Sequence, residues 1–188
     1  EPLPTYAGNV RNSNPFDMLV VGDSMFVTNG GLNKLFKVDL DSGAFADLAV
    51  FDRIPNLPGA AGPPSVEAVP TGLAYSDGTV LVSLLSGGPF LPGLSRIKAV
   101  DPITGAQGDF ITGLRTSIDI LPVRAGGDTD YLALENNFAP APPFPPTGAS
   151  IMRFSSSSSS GSPGSFCSPR IRSSALGSST STGLGSAM

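Results

Sequence analysis

The sequence predicts an all-β chain of β-propeller type: four-stranded antiparallel blades, two whole and a third partial, followed by a disordered Ser-rich C-terminal tail. Three observations carry this. Among 188 residues there are 23 Gly and 19 Pro and only 14% are charged, a composition of short elements joined by turns rather than of long helices. A unit of strand, tight turn, strand, loop and two further strands recurs, starting at Pro15, Pro70 and Ser117, 55 and 47 residues apart. That spacing is close to the ~40 to 50 residues of a propeller blade. The second strand of each unit, MFVT, TVLVSLL and YLAL, is apolar on both sides of the pleat, as expected for a sheet covered on both faces. An open β-sandwich would show cleaner alternation and no such period.

Residues 1–13 form an N-terminal segment, and 14–154 hold blades at about 14–51, 69–114 and 116–154. In the first, NPFDMLVV and MFVT flank Gly22-Asp23, and LFKVD and AFADLAV flank Asp41-Ser42-Gly43. In the second, PTGLAYS and TVLVSLL flank Asp77-Gly78, and SRIKAV is separated from QGDFITGL by Thr104-Gly105. These pairs supply the positive-φ positions that tight hairpins require. The third unit runs through TSIDILPV, Gly126-Gly127-Asp128 and YLALENN to a third strand at ASIMRF, where the pattern stops. From Ser155 the chain is low-complexity, SSSSSSGSPGSF and onward to Met188, and carries too little apolar material to offset chain entropy. Two whole blades and most of a third cannot close a ring of at least four. The expectation is therefore a piece of a longer propeller, with open sheet edges available for self-association.

A net charge of −4 with eleven scattered Lys and Arg offers no field for a nucleic-acid backbone. No apolar run reaches the ~18 to 20 residues of a transmembrane helix. With no His in the chain, Ser-His-Asp and Cys-His sites are excluded. The single Cys167 lies in the Ser-rich tail, where it has no second Cys for an internal disulfide and no partner to activate its thiol.

Two loops stand in the same place of consecutive units, LSGGPFLPGLS (85–95) and NNFAPAPPFPPTGAS (136–150). Stiff Pro-rich loops present Phe90, Phe138 and Phe144, with Asn136 alongside, at little entropic cost, which suits a small molecule or protein partner. Asp17 and Asp119 recur just inside the first strands, where a hydrogen-bonding role is expected rather than acid-base catalysis. Asp39 and Asp101 recur with the blades and read as fold residues.

The stretch VPTGLAYSDGTVLVSLLSGGPFLPGLSRIKAVDP (69–102), with TGLRTSIDILPV (112–123) after it, resembles the ScyD/ScyE family, whose members are built from NHL-like propeller blades. The resemblance covers roughly 14–154. It implies a propeller, a secreted or periplasmic setting and a non-enzymatic binding or scaffold role, with no catalytic motif to carry over. A wider similarity to SMP-30-type lactonases implies the alternative, a hydrolase using a divalent cation such as calcium at Glu135 and Asn136, since hard ions take carboxylate and amide oxygens. A third reading is a gene fragment without independent function.

Overall fold

A computed structural model describes residues 12–125, 128–138, 146–155 and 174–175. Among the described residues there are fourteen strands and no helix. The first sheet is a meander of β1 (Pro15–Val21), β2 (Ser24–Asn29), β3 (Lys34–Asp39) and β4 (Phe45–Val50). A small hairpin of β5 (Ile54–Pro55) and β6 (Ser65–Val66) follows. The second sheet is β7 (Pro70–Ser76), β8 (Thr79–Leu84), β9 (Ser95–Val100) and β10 (Gln107–Leu114). The third is β11 (Ser117–Ala125), β12 (Asp128–Phe138), β13 (Pro146–Ser155) and β14 (Ser174–Ala175). All neighbouring strands within these sheets are antiparallel. None of the three closes on itself.

Local chemistry explains the hairpins. Asp77 (φ 48°) and Gly78 (φ 81°) make a two-residue turn with both central residues left-handed, the twist-matched way to join antiparallel strands. The β3–β4 and β9–β10 connections are built identically. Asp39 Oδ1 accepts the N–H and the hydroxyl of Ser42 at 2.8 and 2.6 Å, and Asp101 Oδ1 accepts those of Thr104 at 2.7 and 2.9 Å. Gly43 and Gly105 then take φ of 72° and 73°. These donors hold both carboxyls below the usual carboxylate range.

One irregularity recurs in all three sheets. Between Pro15 and Met18, Pro70 and Leu73, and Ser117 and Asp119, the first strand carries one residue more than its partner. Such a bulge frees a backbone N–H and bends the strand. Just before it, the carbonyls of Asn14, Val69 and Thr116 accept the N–H of Gly30, Leu85 and Asn136 at 2.9, 3.0 and 2.9 Å. β1, β7 and β11 are edge strands of their own sheets, which is why Pro15, Pro70 and Pro122 are accommodated in them.

The three sheets pack face to face in chain order around two cores. One lies between the first and second sheets and includes Phe26, Leu35, Leu73, Val80, Val82 and Val100. The other lies between the second and third and includes Ala74, Leu81, Ile97, Ile120, Tyr131 and Phe154. The second sheet is thus apolar on both faces because both are covered. Fully burying side chains of this size stabilises by roughly 1.5–3 kcal/mol each. Gln107 Nε2 donates to the Val50 carbonyl at 2.9 Å and Lys37 Nζ to the Pro102 carbonyl at 3.0 Å, fastening β3 and β4 of the first sheet to the second.

Most of the tail expected to be disordered, and residues 1–11, lie outside the described residues. Two points differ from the expectation. β13 runs to Ser155, and Ser174–Ala175 pairs with Arg153 and Met152 as a short fourth strand. Backbone pairing places no demand on side-chain type, so composition does not reveal it.

Candidate functional site

The first strands β1, β7 and β11 lie side by side, and a groove of about 730 Å³ runs along them. Its walls come from Asp17 and Leu19 of β1, Leu73–Ser76 of β7 with the Asp77–Gly78 turn, and Asp119–Pro122 and Arg124 of β11. Three carboxylates and one guanidinium line it, over an apolar floor. Arg124 Nη2 donates to Asp77 Oδ1 at 3.4 Å, leaving the groove acidic in sum.

The bulges put the aspartates there. Asp17 Oδ1 accepts the N–H of Met18 at 2.8 Å, and its Oδ2 reaches across to the N–H of Leu73 at 2.8 Å. One carboxylate thereby satisfies donors freed on two sheets. Asp119 stands at the same place on β11, where Oδ1 accepts the N–H of Ile120 at 2.8 Å. Burial pushes the Asp119 carboxyl above its ordinary range, the Ile120 N–H opposes this, and the charge of Asp17 adds to it. The hydrogen-bonding role expected for the pair agrees with this geometry.

The sequence reading missed Gly72. A Cβ there would lie 2.3 Å from Asp119 Oδ1 and 2.7 Å from both the Asp119 Cα and the Ile118 carbonyl. Only glycine lets β7 and β11 approach this closely, and its place in register with Asp17 and Asp119 was the available signal. Hydroxyls stitch the same region: Thr28 Oγ1 donates to the Thr71 carbonyl at 2.7 Å, and Ser95 Oγ accepts the N–H of Ser117 at 2.7 Å. Behind the groove, Tyr131 and Ser76 hydroxyls meet at 3.2 Å, and burial pushes the Tyr131 phenol up.

The residues singled out from sequence fall elsewhere. Phe90 is half-buried, at φ 61°, in a loop tied down by Ser86 N–H to the Ala68 carbonyl and Gly87 N–H to the Glu67 carbonyl at 3.1 and 2.7 Å. Phe144 and the side chain of Phe138 lie outside the described residues. Glu135 is buried. Its Oε1 accepts the N–H of Arg115 at 2.7 Å and its Oε2 the hydroxyl of Ser150 at 3.3 Å. Asn136 uses its backbone N–H on the Thr116 carbonyl. Glu135 is the register equivalent of Asn29, also buried, whose Oδ1 accepts the N–H of Asn14 at 2.9 Å. Both close the entry to their sheets. No group of three or more Asp, Glu, Cys or His able to hold a metal occurs among the described residues, and no described helix is long and apolar enough to cross a membrane.

No protein-family model matches the chain, and no curated protein matches it.

Proposed function

We propose that the chain is a non-enzymatic propeller-type binding and scaffold module of the ScyD/ScyE kind, acting in the extracellular or periplasmic space. The observation that carries the reading is the stack of three four-stranded sheets whose first strands run side by side along one groove. Blades arranged radially around a channel would bring their first strands together in this way, and such folds place their ligands at the channel, which supports the reading. The groove has acidic walls and an apolar floor, so its ligand is a small molecule or peptide segment carrying a positive charge on an apolar body. Asp17 and Asp119 supply the charge complement, and Leu19 and Leu73 the apolar contact. Phe90 remains a candidate contact for a protein partner on the 85–94 loop.

A thermal-shift series with amphipathic primary amines, matched carboxylates and calcium or zinc salts tests this. The amines are expected to raise Tm saturably, because a ligand of the native state stabilises it. Asp119→Asn should weaken the effect and the carboxylates should show none. A saturable shift with the metal alone would instead favour the cation-dependent hydrolase, and no shift with any amine would end the groove reading.

A further inference from the structure

Register equivalence among the three sheets shows which face of each looks forward along the chain and which looks back. Leu19, Ala74 and Leu121 are equivalent positions, each one step beyond the position following the bulge. Leu19 packs into the core between the first and second sheets, and Ala74 into the core between the second and third. Leu121 is 58% exposed. On β3, β9 and β13 the same holds for Leu35, Ile97 and Ile151: the first two are fully buried and Ile151 is 39% exposed.

The backward faces mirror this. Leu73 and Ile120 are buried against the preceding sheet, whereas their equivalent Met18 is 69% exposed. Around Met18 on the same face of the first sheet stand Val20 and Phe45, both exposed, with Phe45 edge-on to Phe36 at 5.8 Å. An exposed apolar face of this extent marks an interaction surface. Among the described residues the stack therefore ends in two uncovered faces, made of the same positions that pack against each other twice inside the chain.

We propose that a second copy of this chain covers them, the third sheet of one copy stacking on the first sheet of the other, head to tail, with Leu121 and Met18 meeting in one core as Leu19 and Leu73 do between the first and second sheets. The occupant follows from continuity with the two internal interfaces, since the third sheet's forward face has the residue positions for which the first sheet's backward face is the complement. The number of copies rests on the propeller reading above. Propellers close with typically 4–8 blades, and two copies of three sheets is the one whole multiple within that range. A two-fold ring uses each face once and leaves none to polymerise.

Sedimentation of the full chain is expected to give twice the chain mass, and Met18→Lys or Leu121→Lys, each on an exposed face, should weaken association about tenfold or more by leaving an unpaired ammonium at the contact. In a Cys167→Ser background, Met18→Cys chains mixed with Leu121→Cys chains should cross-link on oxidation, and neither variant alone should. A chain that stays monomeric across the micromolar range, or Met18→Cys chains that cross-link to themselves, would overturn the head-to-tail contact. Masses that climb without limit would overturn the closed ring. A monomer that still binds amines would refute this inference and leave the groove reading standing, while a ring that ignores amines would do the reverse.

Discussion

Gly72→Ala puts the close approach of β7 and β11 to a quantitative test. The added methyl would sit 2.3 Å from Asp119 Oδ1 and 2.7 Å from two backbone positions, the Asp119 Cα and the Ile118 carbonyl oxygen. A side chain could rotate away, but backbone cannot, so the strands must separate by roughly 0.5–1 Å against a well-packed core, at a cost of about 2–3 kcal/mol. Gly72 has no left-handed φ, so alanine regains about 0.5 kcal/mol by restricting the unfolded chain. The net loss corresponds to a fall in Tm of roughly 4–10 °C for a domain of this size. Urea and thermal unfolding followed by far-UV circular dichroism read it directly. Gly22→Asn is the control, since Gly22 has φ 57° with nothing within 4 Å of a Cβ, a conformation asparagine adopts readily. Adding Asp119→Ala to Gly72→Ala should restore only part of the loss because the backbone contacts persist. A Gly72→Ala protein as stable as the parent would refute the strand spacing on which the groove depends.

Three further outcomes are expected. Asp17→Ala should cost about 1–3 kcal/mol by stranding the Leu73 and Met18 N–H groups, with faster amide exchange at Leu73 measured by NMR and Asp17→Asn losing less. Asp39 and Asp101 have folded pKa values below the ordinary 3.8, so their stabilising contribution is present above that value and is lost as pH falls through the folded one. Asp39→Asn with Asp101→Asn should flatten the acid limb of Tm against pH. Asp119 has the opposite sign: its folded pKa is raised, so its contribution is fully present below 3.8 and lost as pH rises through the folded value. Asp119→Asn should therefore raise Tm at pH 7 and leave it unchanged in strong acid, as a pH series of melts would show.

All-β character, the tight turns and the internal spacing were determined by the sequence alone, because each is set within a few residues. Gly22-Asp23 and Asp77-Gly78 dictate hairpins by their φ preferences, and the connections carrying Asp39 and Asp101 close by side-chain hydrogen bonds to Ser42 and Thr104, three residues on. The apolar second strand of the second unit likewise announces burial on two faces, which β8 shows, whereas the equally apolar β2 and β12 belong to sheets with one face uncovered among the described residues. The groove was not legible, because it is made by three strands more than forty residues apart whose polar groups look like ordinary strand-end residues. The Glu135 and Asn136 candidates were chosen by residue chemistry, and residue type says nothing of which N–H a carboxylate already accepts; here Arg115 supplies it. Only the tertiary structure decided that Asp17 spans two sheets, that Gly72 must lack a side chain, and which apolar faces are covered. Met18 and Leu73 are equally apolar in sequence. One is exposed and the other buried because burial depends on which sheet is packed opposite, a long-range property that no local pattern encodes.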